Sequence, residues 1–423
     1  MAAEPPSLLP DEIGTPSPAS NKFPRVLAAL RHYDFRLFWF GQLISLVGTW
    51  MQVVGQGWLV LQLTNSPLFL GLVSSMAALP VLVLSPLGGV LADRFNKRKL
   101  IVVTQLLVMT FAFVLAALVL TGRIRYWQIL TMAFCSGTVM ALDAPSRQSF
   151  VIEMVGKQDL LNAIALNSSI FNTARIVGPA IAGIIIGAVG VGLCYLLNGL
   201  SFIPVIIGLL LMKGNFDPAG SATDSFIKNL ADGITYVRRD RRVLGLLSLV
   251  ASASIFIMPY VMLMPIFARD VLKVGPRGYG ALLAAAGTGA LVGALTLATL
   301  GDFKRKGRLV LIGTIVFCIA ALSFTFSTNY HLSLFLLVFV GWGMVTQNAS
   351  INSLLQTMVA DHMRGRIMSL YTMTFLGMMP LGSLLAGFEA NYLGARWALR
   401  IGGIAVAVIV ANLYRTRRAI FEL

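Results

Sequence analysis

Polar residues able to do chemistry are sparse in this chain, and most of them sit inside hydrophobic runs. Gln42, Ser45, Thr49, Gln52 and Gln56 follow at spacings of 3, 4, 3 and 4, which puts all five on one face of a helix. Such a row of amides and hydroxyls can line a cavity and hydrogen-bond a ligand, or it can bond a neighbouring helix. Asn348, Asn352 and Gln356 repeat the pattern, and so do Ser168, Asn172 and Arg175. Arg175 is the one charge near the middle of a hydrophobic run. Its insertion into hydrocarbon costs roughly 2.5–3.5 kcal/mol, so it needs a partner or a task. Counted by helical rise, Asp143 lies within about a turn of its depth on the adjacent helix. The expectations are therefore a structural Arg175–Asp143 pair, or an anion-attracting or coupling role for Arg175. Asp143 and Glu389 are the acids best placed to carry a proton, because a low-dielectric site makes a carboxyl hold its proton more tightly.

Other chemistry finds no support. His32, His331 and His362 fall near the edges of the hydrophobic runs, and no HExxH, GxSxG or Walker A pattern occurs. Cys135, Cys194 and Cys318 lie within apolar runs without metal-ligand spacing, so they read as small core residues. No enzyme activity, metal or cofactor is expected. With no nucleotide site, any work on a solute must draw on an ion gradient or on the solute's own gradient.

The elements that must position these residues are membrane helices. Of 423 residues, 57% are hydrophobic and 12% charged, about half the charge of a soluble domain. Apolar runs of about 20 residues, the length that spans hydrocarbon as a helix, recur along the chain. Twelve spans are expected, over 36–63, 68–92, 100–121, 126–146, 163–187, 191–212, 243–268, 278–300, 309–327, 332–355, 367–391 and 396–414. The net charge of +16 is distributed between the spans, which argues against a nucleic-acid surface. By alternation of sides, 25 of the 33 basic residues fall on one face and 7 on the other, with Arg175 inside a span. The positive-inside rule then places both termini in the cytoplasm. Residues 1–23 read as a disordered tail, and no cleavable signal is visible.

An internal repeat divides the chain. Asp34, Asp93 and Pro179 recur as Asp240, Asp302 and Pro380 at offsets of 206, 209 and 201. The expected domains are a six-helix bundle over 24–212, a cytoplasmic linker over 213–241, a second bundle over 242–414 and a tail over 415–423. Parallel halves about an axis along the membrane normal are a transporter architecture, with substrate at their interface.

Two motifs carry further content. Gly89-Val-Leu-Ala-Asp93-Arg94-Phe-Asn96-Lys97-Arg98 follows the second span, and a degenerate copy with Asp302, Lys304 and Arg305 follows the eighth. Glycine there allows close packing against the facing half, and the basic cluster suits anionic headgroups. Gly178-Pro179 and Gly183 lie in the fifth span, where proline bends a helix and small residues admit a partner, with Gly287, Gly289 and Gly293 of the eighth span as candidates. Met258, Met262, Met264, Met368, Met373, Met378 and Met379 crowd the seventh and eleventh spans, as adaptable surface or as packing.

The first motif resembles the signature of the major facilitator superfamily, with Asn96 at its second glycine. The second resembles that superfamily's antiporter signature. Asp34-Phe-Arg-Leu-Phe-Trp39, Gly48-Thr-Trp-Met-Gln52, Trp58-Leu-Val60, Asp143-Ala-Pro-Ser-Arg147 and 174–183 are similar to the branch that holds the enterobactin exporter and macrolide-efflux proteins. The superfamily's arginine signature in span four is missing, since 127–142 is uncharged. The resemblance implies an all-α fold of twelve transmembrane helices in two pseudo-symmetric six-helix bundles, in a cytoplasmic (inner) membrane. It also implies alternating access and proton-driven export of an amphiphilic small molecule such as a drug or siderophore. The expected partners are that substrate, an ion gradient and lipid, with the protein acting as a monomer. An importer or lipid flippase of the same fold is the first alternative. An intramembrane enzyme or sensor is a second, but no catalytic constellation at depth supports it.

Overall fold

The computed structural model describes residues 25–214, 216, 226–301 and 305–416. The tail expected over 1–23 lies outside them, as do residues 417–423. Among the described residues there is no strand, and eleven helices are long and apolar enough to cross a membrane. One of these, Tyr126–Ala188, has 63 residues, which at ~1.5 Å each is about three hydrocarbon thicknesses. It breaks at Gly156, where φ is 70° and ψ 175°, a conformation that essentially only glycine adopts. The break yields two crossings, 126–155 and 157–188, and so twelve spans.

In chain order the spans are Tyr33–Thr64, Pro67–Arg94, Lys97–Leu120, 126–155, 157–188 and Gly192–Leu211. A short helix, Phe226–Arg239, joins them to Arg241–Val271, Gly275–Leu300, Lys306–Phe326, Tyr330–Met358, Asp361–Leu393 and Ala395–Thr416. Number and order agree with expectation, but spans four and five are longer. Their polar ends stay helical past the apolar runs and meet at Gly156.

Start signals are local. Asn96, Asp240 and Asn329 each accept a hydrogen bond from a backbone N–H of the first turn that follows, capping spans three, seven and ten. Pro67 opens span two at a position that needs no N–H bond. The repeat is looser than expected. Asp240 caps its own helix, whereas Asp34 accepts the backbone N–H groups of Lys213 and Gly214 at 3.0 and 2.9 Å and so ties span one to the chain leaving span six. The helix runs on through Pro179, while span eleven is interrupted at Gly377–Met379, just before Pro380. Span seven contains two π-helical turns, 253–257 and 267–271, near Pro259 and Pro265.

The connecting helix was not foreseen, because 213–241 reads as linker. Asp232 on it meets Arg366 of span eleven at 2.9 Å, and Gly233 packs on Leu370. Within the first half, Gly41, Gly48 and Gly55 recur every seventh residue and seat span one on Val205, Asn198, Ser201 and Cys194 of span six.

Candidate functional site

The halves touch along two seams. On span five, a Cβ at Gly183 would lie 2.8 Å from the Pro276 carbonyl, and one at Gly280 of span eight would collide with the Pro179 carbonyl. On span two, a Cβ at Gly71 would lie 2.5 Å from the Ser383 carbonyl of span eleven, and Ser75 Oγ donates to the Pro380 carbonyl at 2.7 Å. Both seams lie away from the basic face. At that far end Ser66 Oγ donates to Asn391 Oδ1 at 2.9 Å, and Arg269 donates to Asn65 Oδ1 at 2.5 Å. At the basic end of span two, a Cβ on Gly89 would find nothing within 4 Å. The close contacts between halves gather at the far face, and Gly89 at the basic end takes part in none.

Beneath the closed side lies a cavity of about 220 Å³, lined by Gln56, Tyr279 and Ser383 together with Met258, Met262 and Met379. Its walls come from spans one, two, seven, eight and eleven, so it belongs to both halves. The methionines offer a polarisable, adaptable surface.

The polar row on span one divides. Gln56 faces this cavity, and Thr49 is exposed with its hydroxyl donating to the Ser45 carbonyl at 2.9 Å. Gln42 and Ser45 are buried, and Gln52 accepts from Asn198 Nδ2 of span six at 2.6 Å. Gln42, Ser45 and Gln52 are thus drawn into helix packing and do not line the cavity, because Gly41 and Gly48 beside them bring span six against that face. On span ten, Asn348 Nδ2 donates to the Met344 carbonyl at 3.0 Å, and Asn352 Oδ1 accepts from Gln356 at 2.7 Å. Its neighbour Gln347 is fully buried, with both amide atoms unpartnered among the described residues, and sequence periodicity did not single it out.

The expected Arg175–Asp143 pair does not form. Asp143 Oδ2 accepts from Arg147 Nε and Nη2 at 3.0 and 2.5 Å, and Oδ1 accepts from Thr104 Oγ1 and Gln105 Nε2 at 2.6 and 3.1 Å. Arg147 is four residues further along the same helix, the spacing that favours an ion pair. That signal was available in the sequence, but ending span four at 146 left Arg147 in a loop. Arg175 points elsewhere. Its guanidinium carbon lies 5.9 Å from the Trp50 ring centroid, and Nη2 lies 3.9 Å from Met344 Sδ across the gap between halves. Asn172, one turn earlier, donates to the Ser168 carbonyl at 2.8 Å. Glu389 is half-buried and has no hydrogen-bond or ion-pair partner among the described residues.

The motif after span two serves its own half. Lys97 is buried and meets Glu153 of span four at 2.6 Å, and Arg98 Nη2 donates to the Leu210 carbonyl at the end of span six at 2.6 Å. These two residues face protein where headgroups were expected; only Arg94 and Lys99 of the cluster are exposed. Asn96 is extended, with φ −61° and ψ 113°, and acts as a helix cap, so no left-handed tolerance is used. Gly88, not Gly89, makes the close approach, to Ala141 of span four in the same half. Asp302 and Lys304 lie outside the described residues, as does the side chain of Asp93. Arg305 is exposed just before span nine. Gly178 packs on Trp50 and Val47 of span one, and with Gly183 and Pro179 it makes the motif in span five a packing surface on two sides.

Residues 25–422 match the family model described as "Transmembrane secretion effector". The chain is 26% identical over 394 residues to the staphyloferrin A transporter of Staphylococcus aureus, covering 90% of this chain and 96% of that protein. It is 24% identical over 394 residues to the enterobactin exporter EntS of Shigella flexneri, covering 92% and 94%. In fold it resembles a bacterial homologue of the lysosomal transporter Spinster, solved inward-facing and unoccupied, with a TM-score of 0.69 and 13% identity over 94% of this chain and 98% of that one. These likenesses agree with the resemblance read from the motifs.

Proposed function

The chain belongs to the transmembrane secretion effector family of major facilitator transporters, and on that premise we propose that it exports an amphiphilic small molecule by proton-coupled alternating access. The observation that carries this reading is the gap itself. Glycine seams close it at one face, Gly89 at the basic face makes no such contact, and it holds a methionine-walled cavity built from both halves. The relative named as an enterobactin exporter supports the direction. The charge asymmetry supports a cytoplasmic basic face with both termini on it, so an exporter takes up its substrate through that face. Binding and release across a gap call for no chemical conversion, and the protein works as a monomer without enzyme activity. The motif from Gly89 to Arg98, with its copy at 302–305, then forms the gate of the basic face, and Gly178, Pro179 and Gly183 hold the opposite face shut.

Of the two acids that could carry a proton, Glu389 fits the task better. Asp143 is locked by Arg147, Thr104 and Gln105, so protonation would break a buried network. Glu389 can gain or lose a proton without breaking a described contact. Inverted membrane vesicles test both points. An acid-interior gradient should drive uptake of a dansylated amphiphile, Glu389→Gln should abolish that drive, and Asp143→Asn should lower protein yield instead. Uptake unaffected by a protonophore would sink proton coupling. Protease access to the Arg415 end from outside these vesicles checks the orientation.

A further inference from the structure

We propose that Arg175 recognises the anionic group of the transported molecule, so that the substrate class is an organic acid on an apolar body, with a carboxylate as the group held. This deepens the transport reading above and rests on it. Arg175 lies at mid-depth on span five and reaches across the gap. The groups that meet it are Trp50 of span one, Met344 of span ten and the hydroxyl of Tyr260 of span seven. None is an anion. Among the described residues the acids elsewhere in the spans are committed or distant, Asp34, Asp159 and Asp361 being engaged by Gly214, Arg31 and Arg364. Asp143 holds Arg147, Glu153 holds Lys97, Asp270 holds Arg269, and Glu389 sits near the far end of span eleven. A guanidinium presents five N–H donors in a planar fork, and the groups that face Arg175 are all neutral: a thioether sulfur, an aromatic ring and the Tyr260 hydroxyl oxygen. Sulfur and an aromatic face are weak compensation for a cation in this setting. The fork matches a carboxylate, which would accept two parallel bonds.

A second group points the same way. Tyr260 is 2% exposed; its hydroxyl oxygen faces Arg175, and its own O–H finds no acceptor among the described residues. Buried O–H groups ordinarily donate, so one without an acceptor beside a cation without an anion is a donor suited to the same ligand. The surroundings supply the rest of a site for an amphiphile. Phe171 lies on the same face of span five, 48% exposed, with its ring centroid 6.0 Å from that of Trp50. The acid group would sit on Arg175 and Tyr260 and the apolar body on these rings and Met344. A cationic amphiphile would be repelled from the same place.

The test uses the full chain in detergent and a matched pair of probes, dansyl-norleucine and its methyl ester, which differ in one negative charge. Binding is read by energy transfer from tryptophan, and Trp50 is close enough to the site to report it. The acid should bind roughly tenfold to a hundredfold more tightly than the ester, the range for a charge-assisted hydrogen-bonded pair. Arg175→Gln should erase that preference, weakening the acid far more than the ester. Arg175→Lys should keep part of it, and Tyr260→Phe should reduce it. Equal binding of acid and ester by the unaltered protein overturns the proposal even if Arg175→Gln fails to fold, and so does a folded Arg175→Gln that keeps the preference. Displacement of the acid by phosphatidylglycerol would assign the site to a lipid headgroup and overturn the substrate assignment. Acid-selective binding without proton-driven vesicle uptake would leave this inference standing and remove the export reading; uptake without acid selectivity would do the reverse.

Discussion

At Asp143 four donor groups converge on one buried carboxylate, and that arrangement decides which charges in this membrane protein are structural. Arg147 and the two polar side chains of span three satisfy it, so Asp143 has nothing left to offer Arg175. Asp143→Asn should lower stability by about 3 kcal/mol, at the low end for breaking a buried pair because Arg147 keeps a fifth of its side chain exposed. Arg175→Gln should cost less, since no carboxylate is left behind. The two losses should add within about 0.5 kcal/mol in the double variant, as expected of sites with no shared partner. Thermal melts of the two single variants and the double measure this. A coupling above about 1 kcal/mol would restore the pair that depth counting suggested. Counting residues along a span gives depth but no azimuth, and for that reason it paired two residues that face different neighbours.

Elements explain which other readings held. Span number and order were legible because each run of about 20 apolar residues reports one crossing independently of the rest. The small-residue face of span five was legible but its partner was not: the structure sets Gly183 on Gly280 and Pro276, while of the expected partners Gly287 meets Arg175 and Gly289 and Gly293 pack on Val338 and Trp342 of span ten. The row on span one was half legible. A spacing of 3 and 4 shows that five polar residues share a face, but Gly41, Gly48 and Gly55 decide that most of that face meets span six. Gly156 was not legible as a break, because glycine inside a helical run is often tolerated. The seam of spans five and eight gives the element-scale prediction. Gly280→Leu would drive its side chain into the Pro179 carbonyl, so the closed face should be held ajar. A cysteine placed at Ser66 should then label faster with an impermeant maleimide added from outside than it does with Gly280 intact. Labelling that stays as slow would show that the seam does not hold the face shut.

For the whole molecule, the contacts between halves imply a second state. The far face is closed by short-range contacts of backbone and small side chains, which can part without breaking a buried ion pair among the described residues, and Gly89 at the basic face takes part in no such contact. Rocking one half against the other would exchange these conditions about the central cavity. Ser66 and Asn391 report on the exchange, since they sit on opposite halves with their side-chain oxygens 2.9 Å apart. Replacing both by cysteine, with Cys135 changed to serine and the buried Cys194 and Cys318 left in place, allows a short bis-methanethiosulfonate to staple the closed face. The stapled protein should still bind dansyl-norleucine from the basic side, because that side is untouched. It should lose transport, and a reductant that cuts the staple should restore it. Binding without transport is the signature of a carrier caught in one of its two states. Full transport by completely stapled protein would mean that the far face never opens along this seam, and alternating access by rocking would have to be abandoned.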